Sequence, residues 1–356
     1  MIFPRPTAEH PATDNIPKIF CGGFADRTAA DSPEPAAFDL TISGGKALNG
    51  ILNLRKPGGI TSHDCVSMCR RLFGTRRVGH AGTLDPMATG VLPVLIGNAC
   101  AAQGELTDHD KTYTAGVRFG TVTDTEDITG EVLRTSVKLP TEDEVRAAVS
   151  SFVGEDGYDQ IPPMYSALKV GGRKLCDLAR EGKTVERKAR RIIVYGADII
   201  ERVSESDYII SFSVSKGTYI RTLAADIGEK LGCGACLYSL ERTVCGEFDI
   251  SDSVTLEELA EAKERGGAES LEKYLIPCEK AFAKYPSVKL SEFYSRLCKN
   301  GCEIYLSKAK IPDPCFSENG RCRLYDSDGR FFAVGEKRAF PDGDAVKAIM
   351  RFDIER

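Results

Sequence analysis

Val78-Gly79-His80-Ala81-Gly82-Thr83-Leu84-Asp85-Pro86-Met87-Ala88-Thr89-Gly90-Val91-Leu92-Pro93 places one carboxylate between a glycine-punctuated stretch and an apolar run. Gly79, Gly82, Pro86 and Gly90 mark irregular backbone. Val91, Leu92, Val94, Leu95 and Ile96 then read as a buried strand. Asp85 therefore belongs on a loop at the mouth of a sheet, where a side chain is both held and reachable. A carboxylate so placed is a candidate nucleophile. Arg70, Arg71, Arg76 and Arg77 precede the loop, so the partner chemistry is expected to be anionic.

Outward from this loop, helix and strand signals alternate without a regular βαβ period. A short strand from Ile51 runs into the turn Pro57-Gly58-Gly59, and Thr61-Ser62 open a helix with Cys65, Met68, Cys69 and Leu72 at helical spacing. Tyr113, Ala115, Val117 and Phe119 alternate as a strand with one buried face. Thr141-Glu142-Asp143-Glu144 is a capping box. Further strands are expected at 192–200 and 208–214, and helices at 175–180 and 219–231, the last stopping at Gly232. This interleaving predicts an α+β fold with a mixed or antiparallel sheet over residues 50–283. Short strand-like runs near 286–290, 322–325 and 331–335 predict a small β domain over 284–356. Residues 1–49 carry six prolines without periodicity and read as a poorly ordered extension.

Composition bounds the function. With 356 residues, 42% hydrophobic and 28% charged, the chain reads as an ordinary soluble globular protein. No apolar run approaches the roughly 18 residues of a membrane helix. The first residues lack a secretory pattern, so a cytoplasmic protein with its thirteen cysteines reduced is expected. The net charge of −5 is unevenly spread. Arg55, Lys56, Arg70, Arg71, Arg76 and Arg77 face only Asp64 and Asp85 between residues 50 and 100, and a second basic run spans 183–191. Acidic residues such as Glu257, Glu258, Glu261 and Glu264 look like a solvated helix face. One side of the molecule is thus expected to meet phosphates. No phosphate-loop, dinucleotide-binding or zinc-peptidase motif occurs. Cys233-x-x-Cys236 could suggest redox or half a zinc site and is read as structural; Cys298, Cys302, Cys315 and Cys322 form a looser zinc candidate.

The dodecamer Gly79–Gly90 resembles the G-H-x-G-x-L-D-P-x-A-x-G loop of the TruB family of tRNA pseudouridine synthases, matching each fixed position. Lys111-Thr112-Tyr113 is similar to the family's K-x-Y motif. Gln160-Ile161-Pro162-Pro163-Met164-Tyr165-Ser166-Ala167-Leu168-Lys169 is similar to Q-x-P-P-x-Y-S-A-x-K, and Ser215-Lys216-Gly217-Thr218-Tyr219-Ile220-Arg221 to S-x-G-T-Y-I-R. The resemblance implies a pseudouridine-synthase core with a PUA-like C-terminal domain. It implies isomerisation of uridine 55 in the TΨC loop of tRNA by base flipping, without cofactor or metal. Asp85 would be the nucleophile, Arg221 its ionic partner, and Tyr113 a stacking ring or a base for the C5 proton. Tyr219 and Leu240 would line the base pocket, and His80 would hold the flipped RNA. Cys176 stands where many members have tyrosine. The implied partner is the tRNA T-arm, met by a monomer without membrane or obligate protein partner. Two rivals stay open at this point: an RNA-folding module, and a guide-directed synthase acting on rRNA.

Overall fold

The computed structural model describes residues 48–353, so the reading of 1–49 as an extension lies almost wholly outside the described residues. In chain order, β1 (Gly50–Lys56), α1 (Ser62–Phe73), β2 (Val78–His80), β3 (Thr89–Ile96), α2 (Gln103–Thr107) and β4 (Lys111–Phe119) come first. A hairpin of β5 (Thr121–Thr123) and β6 (Val132–Thr135), α3 (Glu142–Ser150), β7 (Gly154–Gln160), a small hairpin of β8 (Lys169–Val170) and β9 (Arg173–Lys174), and α4 (Leu175–Arg180) follow. Then come β10 (Arg190–Arg202), β11 (Asp207–Val214), α5 (Ile220–Lys230), β12 (Ala235–Cys245), β13 (Phe248–Asp249), α6 (Leu256–Gly266) and β14 (Leu275–Ile276). The last stretch holds β15 (Ser287–Lys289), α7 (Glu292–Lys299), β16 (Ile304–Tyr305), α8 (Leu306–Ala309), β17 (Arg321–Tyr325), β18 (Phe331–Phe340) and β19 (Gly343–Arg351).

Ten strands form one sheet in the order β14-β1-β3-β12-β4-β11-β10-β7, with β2 beside β3 and β13 beside β12. Its pairings are antiparallel except where β12 meets β3 in parallel, so the expected mixed α+β sheet is found. The exceptional pairing is short: Glu241 opposes Thr89, and Arg242 opposes Gly90. It sets the C-terminal end of the Asp85 loop against the centre of the sheet. Gly90 is required there. Its φ is +97°, and a Cβ would lie 2.2 Å from the Arg242 carbonyl oxygen.

Local signals explain the helices that frame this region. Thr61 caps α1 and forms a capping box with Asp64, while Gly74 closes the helix at φ +62°. The capping box at Thr141 and Glu144 opens α3 as the sequence predicts. One apolar core lies under α1, α3, α5 and α6, and includes Leu54, Cys65, Leu92, Phe119, Phe212 and Leu223. Each fully buried Leu or Phe of this kind contributes on the order of 2–3 kcal/mol. A second sheet, ordered β15-β17-β18-β19-β16, occupies the region read as a small β domain. Its strand β18 runs to Phe340, past the predicted stop at 335. The polar residues Glu336, Lys337 and Arg338 extend the β-ladder with β19 although they carry no apolar signal.

Candidate active site

The Asp85 loop is strapped down at several points. Lys56, at the end of β1, is fully buried, and its Nζ donates to the carbonyls of Pro57, Pro86 and Ala88 at 2.9, 3.2 and 2.7 Å. Ser62, the first residue of α1, clamps Leu84: its Oγ donates to the Leu84 carbonyl at 3.0 Å and accepts from the Leu84 amide at 2.9 Å. The Gly59 amide donates to the Pro86 carbonyl at 2.9 Å. On the far side, Arg242 Nη2 donates to the Gly82 carbonyl at 2.9 Å. Lys56 corrects the sequence reading: counted among the phosphate-facing cations, it is instead an internal strut, and burial lowers its pKa. A lysine ending a short strand gives no local sign that three carbonyls will enclose it.

Held in this way, Asp85 opens into a cavity of about 350 Å³. Tyr113, Tyr219, Arg221 and Leu240 line the same cavity, as do Lys111, Ser166, Leu168, Arg190 and Arg242. Five of the six predicted site residues are therefore brought together. His80 is not on the wall; it lies in β2 beside Arg242, with its Nδ1 buried and unpartnered, and burial lowers its pKa. Cys176 also lies off the wall, its amide donating to the Ser166 carbonyl at 3.1 Å.

The centre of the site is an ion pair. Arg221 Nε stands 2.9 Å from Asp85 Oδ2, with the arginine side chain 5% exposed and the aspartate 36%. Arg221 sits in the first turn of α5, and the chain ahead of that helix is gripped by Gln160. The Tyr219 amide donates to Gln160 Oε1 at 2.8 Å, and Gln160 Nε2 donates to the Tyr219 carbonyl at 3.1 Å. The Arg221 guanidinium is spent on fixed acceptors: Nη1 donates to the Thr125 carbonyl and Nη2 to the Tyr165 carbonyl, both at 2.9 Å. A second carboxylate, Asp127, lies 3.7 Å from Nη1. Such a fork cannot rotate without breaking several bonds, so it presents Nε to Asp85 in one orientation.

Burial pushes the Asp85 carboxyl above the usual carboxylate range; Arg221 pulls it back, and the negative charge of Asp127 raises it again. Tyr113 is buried in β4, and burial raises its phenol as well. Leu240, opposite Ala115, supplies an apolar wall. A carboxylate, two phenols and a leucine around a small cavity suit a flat, polar-edged ring. Among the described residues, no group of His, Cys, Asp or Glu is arranged to hold a metal. Cys233 and Cys236 are buried free thiols.

Four contributors escape a reading of the sequence. Asp127 and the Thr125 carbonyl lie in the turn of the β5–β6 hairpin, where Thr125 Oγ1 donates to Asp127 Oδ1 at 2.9 Å. The run Thr123-Asp124-Thr125-Glu126-Asp127 signals a turn, and Glu126 does adopt a φ of +64°. Nothing in that run says which distant arginine the turn will hold. Lys56 and Arg242 are the other two.

The chain is similar to known proteins over most of its length. Residues 70–220 match the TruB family pseudouridylate synthase N-terminal domain, and residues 221–283 match the tRNA pseudouridylate synthase B C-terminal domain. A tRNA pseudouridine synthase B of Clostridium tetani is 40% identical over 291 residues, covering 82% of this chain and 96% of that protein. Its counterpart in Alkaliphilus oremlandii is 45% identical over 258 residues, covering 72% and 83%. Among solved structures, a chain of a Cbf5-Nop10-Gar1 complex superposes with a TM-score of 0.64 at 26% identity, covering 85% of this chain and 84% of that one.

Proposed function

The chain belongs to the TruB family of pseudouridylate synthases, and from this we propose that it converts uridine 55 in the TΨC loop of tRNA to pseudouridine, with Asp85 as nucleophile. The observation that carries the reading is the Asp85–Arg221 pair, 2.9 Å apart at the wall of a cavity shared with Tyr113, Tyr219 and Leu240. The uridine leaves its stack and enters this cavity. Tyr219 and Tyr113 offer ring faces to the base, and Leu240 covers its apolar side. Asp85 attacks, the N1–C1′ bond breaks, the base turns, and C5 joins C1′. Tyr113 takes the proton from C5. Product and substrate have the same composition and oxidation state, so the residues named suffice without a cofactor. His80, just off the wall, steadies the flipped nucleotide.

Residues 50–283 are the catalytic domain in this reading. Residues 284–356 are a PUA-like domain. The protein acts in the cytosol as a monomer on the T-arm, without an obligate protein partner. Among the described residues no helix is long and apolar enough to cross a membrane.

The test is tritium release from tRNA labelled at C5 of uridine, since forming the C5–C1′ bond expels that hydrogen. One equivalent released from tRNA and from a T-arm hairpin, and none after uridine 55 is replaced by cytidine, is expected. Release from the cytidine-55 tRNA, or from an rRNA fragment in place of the hairpin, sinks the assignment of substrate.

A further inference from the structure

Arg242 is a buried cation that the steps above leave unused. It is fully buried, yet it pairs with no carboxylate among the described residues. Its Nε donates to the Val91 carbonyl at 2.7 Å, and its Nη2 to the Gly82 carbonyl at 2.9 Å. Burying a guanidinium against carbonyls alone costs several kcal/mol. Buried ions of this kind concentrate where their charge is used. The group that faces the remainder of the guanidinium is Tyr113. The two residues are direct cross-strand neighbours in the β12–β4 register, so their side chains leave the same face of the sheet, and guanidinium meets phenol. Both line the cavity that holds Asp85.

A base for the C5 proton must reach its phenolate form. Burial works against that at Tyr113, and Arg242 is the foremost group working for it. The other titratable groups around Tyr113 do less. Cys245 on β12 and Asp85 on the loop both disfavour the phenolate. Lys111 on its own strand and Arg221 on α5 share the cavity, but their donors are held by carbonyls and by Asp85.

We propose that Arg242 is a positioning residue for the reaction: it holds the Tyr113 oxygen at the C5 side of the base and stabilises the phenolate that removes the proton. The inference rests on the reading of Tyr113 as base given above. In the step itself, the C5–H bond of the newly C5-linked ring breaks and the proton passes to the Tyr113 oxygen. The electron pair forms the C5–C6 double bond, and the displaced C6–N1 pair settles on N1, which takes a proton from water. Tyr113 then returns its proton to solvent, so the isomerisation balances.

Arg242 also ties Gly82 to Val91, so loss of rate alone would not separate a chemical role from that of a strut. Single-turnover rates are therefore compared on tRNA carrying protium or deuterium at C5 of the target uridine. Arg242→Gln is expected to slow turnover about 100-fold, within the usual range for acid–base assistance, and to raise the deuterium isotope effect. Replacing Tyr113 with 3-fluorotyrosine, whose phenol ionises more readily, is expected to recover about 10-fold in the Arg242→Gln protein and to change the wild type little. A slowed variant with an unchanged isotope effect and no recovery makes Arg242 a strut only and overturns the proposal. Tyr113→Phe, measured in parallel, separates the two levels. If it loses the C5 proton at the wild-type rate, the reading of Tyr113 fails, and the role of Arg242 with it. If it is slow while Arg242→Gln is not, only the role of Arg242 fails. Should the glutamine variant not fold, Arg242→Lys keeps a cation but not the fork. A Lys variant that stays within about 10-fold of the wild-type rate supports the proposal, because the charge survives without the ties to Gly82 and Val91; one slowed about 100-fold with an unchanged isotope effect overturns it.

Discussion

The layer behind the cavity wall and the core of the second sheet are both buried, but they are made of different materials. Around Asp85 the buried groups are Lys56, Lys111, Asp127, Arg221 and Arg242, ions satisfied by carbonyls and by one another. Under the second sheet they are Val288, Leu290, Cys298, Ile304, Cys322, Leu324, Phe332 and Val346. Its one buried ion among the described residues is Asp326, paired with the half-buried Lys299 at 2.8 Å, while a pair such as Arg338 and Glu336 on β18 lies nearer the rim. Apolar packing is the cheaper way to fill an interior, because each buried ion first loses its hydration. A region that keeps five such ions does so because their geometry performs a task. The apolar core only has to be filled.

That contrast can be broken most directly at Asp85. Asp85→Asn keeps the shape and removes the charge; turnover by tritium release should fall on the order of 10⁴-fold or more, while tRNA retention on filters stays within a few-fold. A variant that still turns over would show that the ionic wall is not chemical. Next in size is Lys56→Met. It takes the Lys56 donor from the Pro57 and Ala88 carbonyls, leaves Pro86 only the Gly59 amide, and should cost about 3 kcal/mol in urea unfolding. Activity should drop as well, because the Asp85 loop loses a strap.

Leu324→Ala in the second core is expected to cost about 2–3 kcal/mol of stability, yet to leave kcat near wild type. A large fall in kcat there would blur the distinction between the two interiors. The smallest effect is a displacement along the pH axis. In the proposed reaction Asp85 attacks in its ionised form, and its carboxyl is held above the usual range partly by the negative charge of Asp127. Asp127→Asn removes a like charge, so the acid limb of the kcat profile should move to lower pH. Arg221 keeps its bonds to Thr125 and Tyr165, and its ion pair with Asp85 is retained. An acid limb that stays put, or rises, would mean that Asp127 acts only by aiming Arg221.

Much of this was legible before any coordinates. The Asp85 loop, the strand after it, the alternation at Tyr113 and the helix behind Tyr219 follow from residue types and spacing. The 219–231 reading differs from Ile220–Lys230 only by its two cap residues. What the sequence withholds is the fate of basic and acidic residues whose partners are distant. Lys56 lies 30 residues from Pro86, Arg221 lies 96 from Thr125, and Arg242 lies 151 from Val91. Composition treats all three as surface charges; the pairing of β1, β3 and β12 turns Lys56 and Arg242 inward, and the Thr125–Asp127 turn packed against α5 does so for Arg221. The acidic helix reading, by contrast, needed no tertiary information: α6 carries Glu257, Glu258, Glu261 and Glu264 outside while Leu256, Leu259 and Ala262 are buried.

Between the two interiors lies a third cluster, in which Ile51, Val91 and Leu95 of the large sheet share one packing unit with Phe282, Tyr285 and Val334, and with Phe331, Met350 and Phe352 at its margin. The seam is closed by polar contacts as well: Tyr285 donates to Glu105 Oε1 at 2.7 Å, and Arg321 reaches the same carboxylate at 2.5 Å. A chain cut after residue 283 would therefore uncover oily surface on the strand that leads out of the Asp85 loop. The two sheets should melt in one calorimetric transition, and shortened versions should be rescued by detergent or by the missing piece supplied in trans rather than persist as free-standing proteins.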